Sequence, residues 1–416
     1  MLILLLSPGL SCLFSQEFVV NYDESKVPAY TLPDPLIFNN GTEVKKKKQW
    51  EKRRAEIFKL FETEVYGIAP KWDGEIITSE ISSDINALNG NAIRKEINIT
   101  LKRSNKELSM VMLLYLPKST APVPLFLGYN FGGNHTVTDE PEISVTTSWV
   151  RNNKEAGIAD NKAVVSGRGR DASSWQVKEI VSRGYGLATI YYGDIDPDFD
   201  DGFKNGVHGL YGSDPDNTSW GSIAAWAWGL SRAMDYLQKV PQIDAGKVIV
   251  MGHSRLGKAA LWAGATDKRF AVVISNNSGC GGAALSRRVF GETVGRINRS
   301  FPHWFCDNFN KYNEKEDLLP VDQHQLLALI APRPLYVASA EEDQWADPRG
   351  EFLSCVAASP VYKLLTKKTF PATTMPPVNS PVVGKIGYHI RTGVHDVTLY
   401  DWQQYLDFAD LHLRGK

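Results

Sequence analysis

Residues 243–265 read IDAGKVIVMGHSRLGKAALWAGA. A turn of Asp244, Ala245 and Gly246 leads into an apolar, β-prone run from Lys247 to Met251. Gly252-His253-Ser254-Arg255-Leu256-Gly257-Lys258 follows, and then a stretch rich in Ala, Leu and Trp with good helix propensity. Strand, tight glycine turn, serine and helix is the order of a nucleophile elbow. Its strained turn lifts the serine hydroxyl out of a sheet, and the helix N-terminus behind it favours negative charge. The usual spacing is G-x-S-x-G. Here Leu256 stands where the second glycine belongs, and that glycine comes one place late, at Gly257. On this motif alone the stretch also reads as an ordinary strand-to-helix turn, so the rest of the chain has to decide.

Working outward, apolar runs alternate with helical patterns. Residues 108–117 (LSMVMLLYLP) and 123–130 (VPLFLGYN) suit buried strands, and 76–89 and 92–101 read as strands with polar alternation. Residues 185–192, 271–274, 334–338 and 386–392 read as later strands. Helices are expected over 50–66, 174–184, 220–237 and 400–414, and 326–330 is apolar. Alternation of this kind predicts one α/β domain over residues 17–416, a mainly parallel sheet flanked by helices in three layers. Residues 16–36 form an extended arm, and 136–171 lacks periodicity and reads as an insertion beside the site. Gly132 and Gly133 close an early strand. They supply either an oxyanion-hole amide or a glycine loop needing positive φ. The acidic run 194–201 (DIDPDFDD) lacks EF-hand spacing and is expected to be a solvated loop.

Three reactive groups then fall in one order: Ser254, an acid after a later strand, and His395 after the last strand. Ser, Asp or Glu, His is the chain order of the α/β-hydrolase fold. A serine hydroxyl is a weak nucleophile, so a histidine must take its proton, and a carboxylate must fix that imidazole's tautomer. Asp343 is favoured as the acid from its place beyond the strand 334–338. Glu342, Glu341 and Asp347 are the alternatives. His253, His303 and His389 are expected to be structural.

A net charge of -1 gives no basic excess for nucleic acid, and Lys45 to Lys48 reads as a solvated face. Residues 1–16 (MLILLLSPGLSCLFSQ) look like an export leader without its positive start, and Cys12 makes a poor lipoprotein box. The product is expected outside the cytoplasm, secreted or periplasmic, with no membrane span later in the chain. After leader removal Cys280, Cys306 and Cys355 remain, allowing at most one disulfide. No Cys/His cluster has zinc spacing, and no metal or cofactor is expected.

The stretch from Gly252 to Lys258 resembles the G-x-S-R-x-G-K signature of the glucuronoyl esterases, carbohydrate esterase family 15, in which the late glycine is the family's own pattern. Asn277-Ser278-Gly279-Cys280-Gly281-Gly282 resembles the family's E-S-G-x-G-G loop. Residues 341–348 (EEDQWADP), 393–402 (GVHDVTLYDW) and 50–70 extend the likeness over nearly the whole chain after the leader. The resemblance implies a serine esterase cleaving the ester between 4-O-methyl-glucuronic acid of glucuronoxylan and lignin alcohols. It implies Ser254 as nucleophile, His395 as base and Arg255 as a holder of the tetrahedral oxyanion. Lys258, Glu292 and Trp345 resemble the uronate-binding residues. Many members carry the triad acid as a Glu in the E-S-G-x-G-G loop. Asn277 stands there instead, which leaves Asp343, at the position some bacterial members use. The alternatives are an acetyl or feruloyl xylan esterase of the same fold, or an inactive glycan-binding homologue. A monomer is expected.

Overall fold

The computed structural model describes residues 19–212 and 215–415, so the expected leader and Cys12 lie outside the described residues. Among the described residues, nine strands follow in chain order: β1 (Glu75–Asn86), β2 (Ala92–Arg103), β3 (Lys106–Pro117), β4 (Val123–Asn130), β5 (Gly186–Tyr191), β6 (Ile243–His253), β7 (Val272–Asn276), β8 (Leu335–Ala340) and β9 (Ile386–Arg391). They form one sheet in the order β1-β2-β3-β5-β4-β6-β7-β8-β9. The strands from β1 to β3, and the pair β3 and β5, run antiparallel. From β5 to β9 the ladder is parallel.

The apolar runs are long because these parallel strands are covered on both faces. Every residue of β4, β5, β7, β8 and β9 is buried. Alternate side chains supply two separate cores. In β6, Val248 and Val250 join one core, which packs the helices Ser222–Leu237, Arg255–Thr266 and Gln323–Ile330. Ile249 and Met251 join the other, closed by Trp402, Tyr405 and Phe408 of the helix Leu399–Ala409. Two cores on a central sheet give the three layers of an α/β-hydrolase.

Four details depart from the sequence reading or add to it. The helix expected over 174–184 is broken at Gln176, whose φ of 43° splits it into Ala172–Trp175 and Val177–Ser182. Its Ser174 carbonyl turns away to accept from Trp402 Nε1 at 2.8 Å. The strand ending at Ala338 in the sequence reading continues to Ala340, which brings Glu341 to Asp343 directly to the sheet's edge. The helix Pro348–Thr366 went unread, because Pro360 within it argues against a helix while Pro348 sits at its permissive first turn. Cys280, Cys306 and Cys355 are buried free thiols, so the disulfide the count allowed is absent among the described residues.

Residues before β1 make contacts with later parts of the chain. Asn21 O accepts from Gly291 N at 2.9 Å, and Pro33 O lies 2.9 Å from His324 Nε2. No described helix is long and apolar enough to cross a membrane.

Candidate active site

The parallel strands deliver their C-terminal ends to one edge of the sheet, and the candidate residues gather there. Ser254 follows β6 with φ 56° and ψ −130°, a conformation a non-glycine residue keeps only when its surroundings enforce it. Its amide donates to Asn276 O at 2.9 Å, and its own carbonyl accepts from Lys258 N at 3.2 Å, opening the helix Arg255–Thr266. Both glycines have a physical cause. A Cβ on Gly252 would collide with the Leu256 carbonyl. A Cβ on Gly257 would sit 3.1 Å from Ser278 Cβ and 3.2 Å from Asn276 O, so the late glycine is the place where helix and β7 loop touch.

His395 Nδ1 lies 2.6 Å from Asp343 Oδ2, and Asn277 Nδ2 donates to the same oxygen at 2.8 Å. Asp343 is 6% exposed. Burial raises its carboxyl, but the His395 contact and charge and the Asn277 amide outweigh that and hold it below its ordinary value. An ionised carboxylate only accepts, so Nδ1 carries the proton and Nε2 is left for chemistry. The competing acids are placed elsewhere. The Glu342 side chain is exposed, while its backbone N–H donates to Gly393 O at 3.1 Å. The Glu341 backbone N–H donates to Arg391 O at 2.9 Å. Asp347 accepts from Arg288 Nε at 2.8 Å and caps the helix Pro348–Thr366.

The acidic run 194–201 is not a solvated loop. Asp194, Asp196 and Asp198 are buried, and only its later members reach solvent. Asp198 accepts from Arg255 Nη1, from Trp304 Nε1 at 2.8 Å and from Tyr192 Oη at 3.1 Å, and lies 2.8 Å from His303 Nε2. Burial raises its carboxyl, and the His303 and Arg255 contacts reverse this and hold it far below the usual range. Arg255 also lies over the Trp304 ring, 4.8 Å from its centroid. Asp198 was missed because Arg255 is 57 residues away and no local pattern announces a buried acid.

One turn along the helix, Lys258 is 4% exposed and donates to Ser278 O at 2.7 Å. Glu292 Oε2 is 3.6 Å from its ammonium. Burial raises the Glu292 carboxyl, opposed by Lys258 and by a hydrogen bond from Trp345. The three residues named for a sugar therefore form one contact group.

On the other flank, Ser254, Arg255 and His395 open into a cavity of about 540 Å³. Its apolar wall is Phe131, Trp175, Met251 and Val397, and its polar rim is Glu155, Arg170 and Asp171, all from the segment 136–171. Gly133 has φ 99° and its N–H is taken by Asn130 Oδ1 at 2.8 Å, so this glycine serves the turn. His389 is fully buried as expected. His253 is not remote from the site: its ring centroid is 4.4 Å from that of His395 and it lines the cavity. Burial first, and the His395 charge second, push its pKa down to about 3, so it is a neutral ring. Glu351 was also missed. It accepts from Ser278 N at 2.8 Å and Gly279 N at 3.0 Å, and so holds the loop that carries Asn277.

A family model described as glucuronyl esterase of fungi matches residues 179–366. The chain is 52% identical over 97% of its length, and 94% of the relative's, to carbohydrate esterase MZ0003 of an unknown prokaryotic organism. Among solved structures, a glucuronoyl esterase from Solibacter usitatus matches with TM-score 0.88 and 49% identity, over 94% of this chain and 100% of that one. A glucuronoyl esterase mutant from Sporotrichum thermophile, in complex with methyl 4-O-methyl-β-D-glucopyranuronate, matches with TM-score 0.64 and 25% identity over 92% and 88%. With an elbow serine, a histidine–aspartate pair and likeness over nearly all of its length, the chain belongs to the glucuronoyl esterases of carbohydrate esterase family 15.

Proposed function

We propose that this chain hydrolyses the ester between (4-O-methyl-)glucuronic acid of glucuronoxylan and lignin alcohols, through an acyl-enzyme on Ser254. His395 Nε2 takes the Ser254 proton as Oγ attacks the uronyl carbon. Asp343 stabilises the imidazolium that forms. The oxyanion develops at the N-terminus of the helix Arg255–Thr266, where the Arg255 guanidinium, aimed by Asp198, meets charge that the neutral ester lacked. Collapse expels the alcohol, which takes the proton from His395. Water, deprotonated by the same nitrogen, then releases the uronic acid.

The observation that carries the sugar assignment is the buried Lys258–Glu292 pair with Trp345, one helical turn from the nucleophile. An ammonium and a carboxylate side by side donate to and accept from adjacent sugar hydroxyls, which a small acetyl group does not offer. The cavity on the His395 flank takes the alcohol, because His395 must protonate that oxygen as it leaves. We read the chain as an exported monomer that acts on plant cell wall.

The test compares methyl and benzyl glucuronate with an acetylated sugar, for the parent and for Ser254→Ala. Cleavage of the uronate esters that vanishes in the variant is the expected result. Cleavage of the acetyl ester alone removes the glucuronoyl assignment and leaves the serine-esterase chemistry.

A further inference from the structure

His395 stands on a short exposed connection between β9 and the helix Leu399–Ala409, and its side chain is 41% exposed. Exposed loops open at little cost, yet a general base must be held to within about half an ångström of its working position. The contact with Asp343 orients the ring but does not fix the backbone that carries it. That backbone is held from below by Arg391, the last residue of β9, which is 3% exposed. Its Nη1 donates to Thr392 O at 2.9 Å, and its Nη2 donates to Val394 O at 3.0 Å and to Asp396 O at 2.6 Å. The carbonyls on either side of His395 thus share one nitrogen.

The guanidinium is itself anchored. Arg391 Nε donates to Asp401 Oδ2 at 2.7 Å, and Asp401 is fully buried. Burial raises the Asp401 carboxyl, but His389 and Arg391 outweigh it and keep the acid ionised. Asp401 Oδ1 accepts from Asn276 Nδ2 at 3.2 Å. Asn276 ends β7 and reaches the elbow twice: its carbonyl accepts from Ser254 N at 2.9 Å, and its Oδ1 accepts from His253 Nδ1 at 2.6 Å. A continuous path therefore runs from the His395 loop through Arg391, Asp401 and Asn276 to Ser254, without passing through Asp343.

We propose that Arg391, Asp401 and Asn276 form a brace that sets the separation of His395 and Ser254. They are positioning residues, and none of them lines the cavity. The proposal rests on the serine-esterase reading and not on which sugar is bound. Arg391→Lys tests it, since a lysine keeps the charge for Asp401 but cannot span carbonyls on both sides of His395 in one plane. Misplacement of a reacting group by about 1 Å costs on the order of 10²-fold, so kcat should fall by about that factor. KM and the inhibition constant of the product glucuronate should stay within about twofold, because the sugar contacts are untouched. In Arg391→Ala, guanidinium ion at low, non-denaturing concentration should restore part of the lost kcat and leave the parent unaffected. Asn276→Ser cuts the path from the other side and should show the same kcat-only loss.

Folded Arg391→Lys with kcat within about threefold of the parent overturns the brace, as does a loss in which kcat, KM and product binding collapse together. Failure of both Arg391→Lys and Asn276→Ser to fold makes the cluster structural and also overturns it. The parent is assayed alongside. If it cleaves no glucuronate ester, the proposed function falls, and the brace is then read from the rate at which a serine-directed phosphonate labels Ser254, expected to drop by the same factor.

Discussion

At the scale of the residue, Asp343, proposed as the acid of the triad, is the informative case. The Asn277 amide donates to the Asp343 carboxylate at 2.8 Å. One Asp343 oxygen receives both Asn277 and His395, so two donors hold the carboxylate ionised and in place. Asp343→Asn should lower kcat by roughly 10³–10⁴-fold with little change in KM, because an amide there permits the wrong imidazole tautomer. Steady-state kinetics on methyl glucuronate check this, and near-parent turnover would return the role to another acid. Asp198 gives a second residue-scale expectation. If it acts by aiming Arg255, Asp198→Asn costs about 10²-fold in kcat, similar to losing one oxyanion donor. The double variant with Arg255→Ala should then be no slower than Arg255→Ala alone, whereas additive losses would show that Asp198 has another role. The cavity wall gives a third. Trp175→Ala should lower the benzyl-to-methyl ratio of kcat/KM by roughly 10-fold, as removal of apolar contact to one alcohol does. The ratio is the readout because any general destabilisation acts on both esters alike.

At the scale of the element, the strand β6 and the helix after it show what a sequence exposes and what it hides. The run from Lys247 to Met251, the two glycines and the alanine-rich stretch are local, and each states its own conformation, so the elbow was legible. The order of strands, Ser254, Asp343 and His395 was legible for the same reason, since each of these candidate side chains follows a strand end. What stayed hidden depends on contacts far apart in the chain. Asp198 looked like a loop acid because the groups that meet its carboxylate, Arg255, His303 and Trp304, arrive from other elements. The break at Gln176 is set by Trp402, 228 residues from Ser174. Helix Pro348–Thr366 was obscured by Pro360, whose cost the surrounding burial offsets. The offset glycine bears its own prediction. Gly257→Ala must push against Ser278 and Asn276 at 3.1 and 3.2 Å, so it should destabilise by about 1–3 kcal/mol and still leave measurable turnover. Gly252→Ala meets backbone within the elbow and should abolish turnover. Equal behaviour of the two in thermal melts and assays would mean that the helix, rather than the turn, yields.

At the scale of the whole molecule, one buried carboxyl joins the layers. Glu351, on the helix Pro348–Thr366, accepts from the loop after β7 through Ser278 and Gly279, and from β8 through Ser339 Oγ at 2.6 Å. Burial pushes its pKa from 4.5 up to about 8, so the folded chain holds a proton that the unfolded chain releases. The sign follows from linkage. Where the folded state binds more protons, stability falls as pH rises, so this contribution is complete below about pH 4.5 and is lost through about pH 8. Other groups change over lower ranges. Asp194, raised to about 6 by burial, acts in the same direction but has finished by neutrality. The buried histidines, such as His253 near 3 against an ordinary 6.5, raise stability with pH and level off at 6.5. Asp343 and Asp401 are held below their ordinary values and act only in acid. Burial raises Glu292, Glu316 and Asp347 in the same direction, and the shift of Glu351 reaches across the interval from about pH 6.5 to 8. Urea midpoints of the parent, at constant ionic strength, should decline across it. Glu351→Gln, uncharged at every pH, should be flatter over the same interval whatever its absolute stability. A variant that keeps the parent's slope would assign the proton to another group and leave Glu351 as an ionised acceptor of the Ser278 and Gly279 amides.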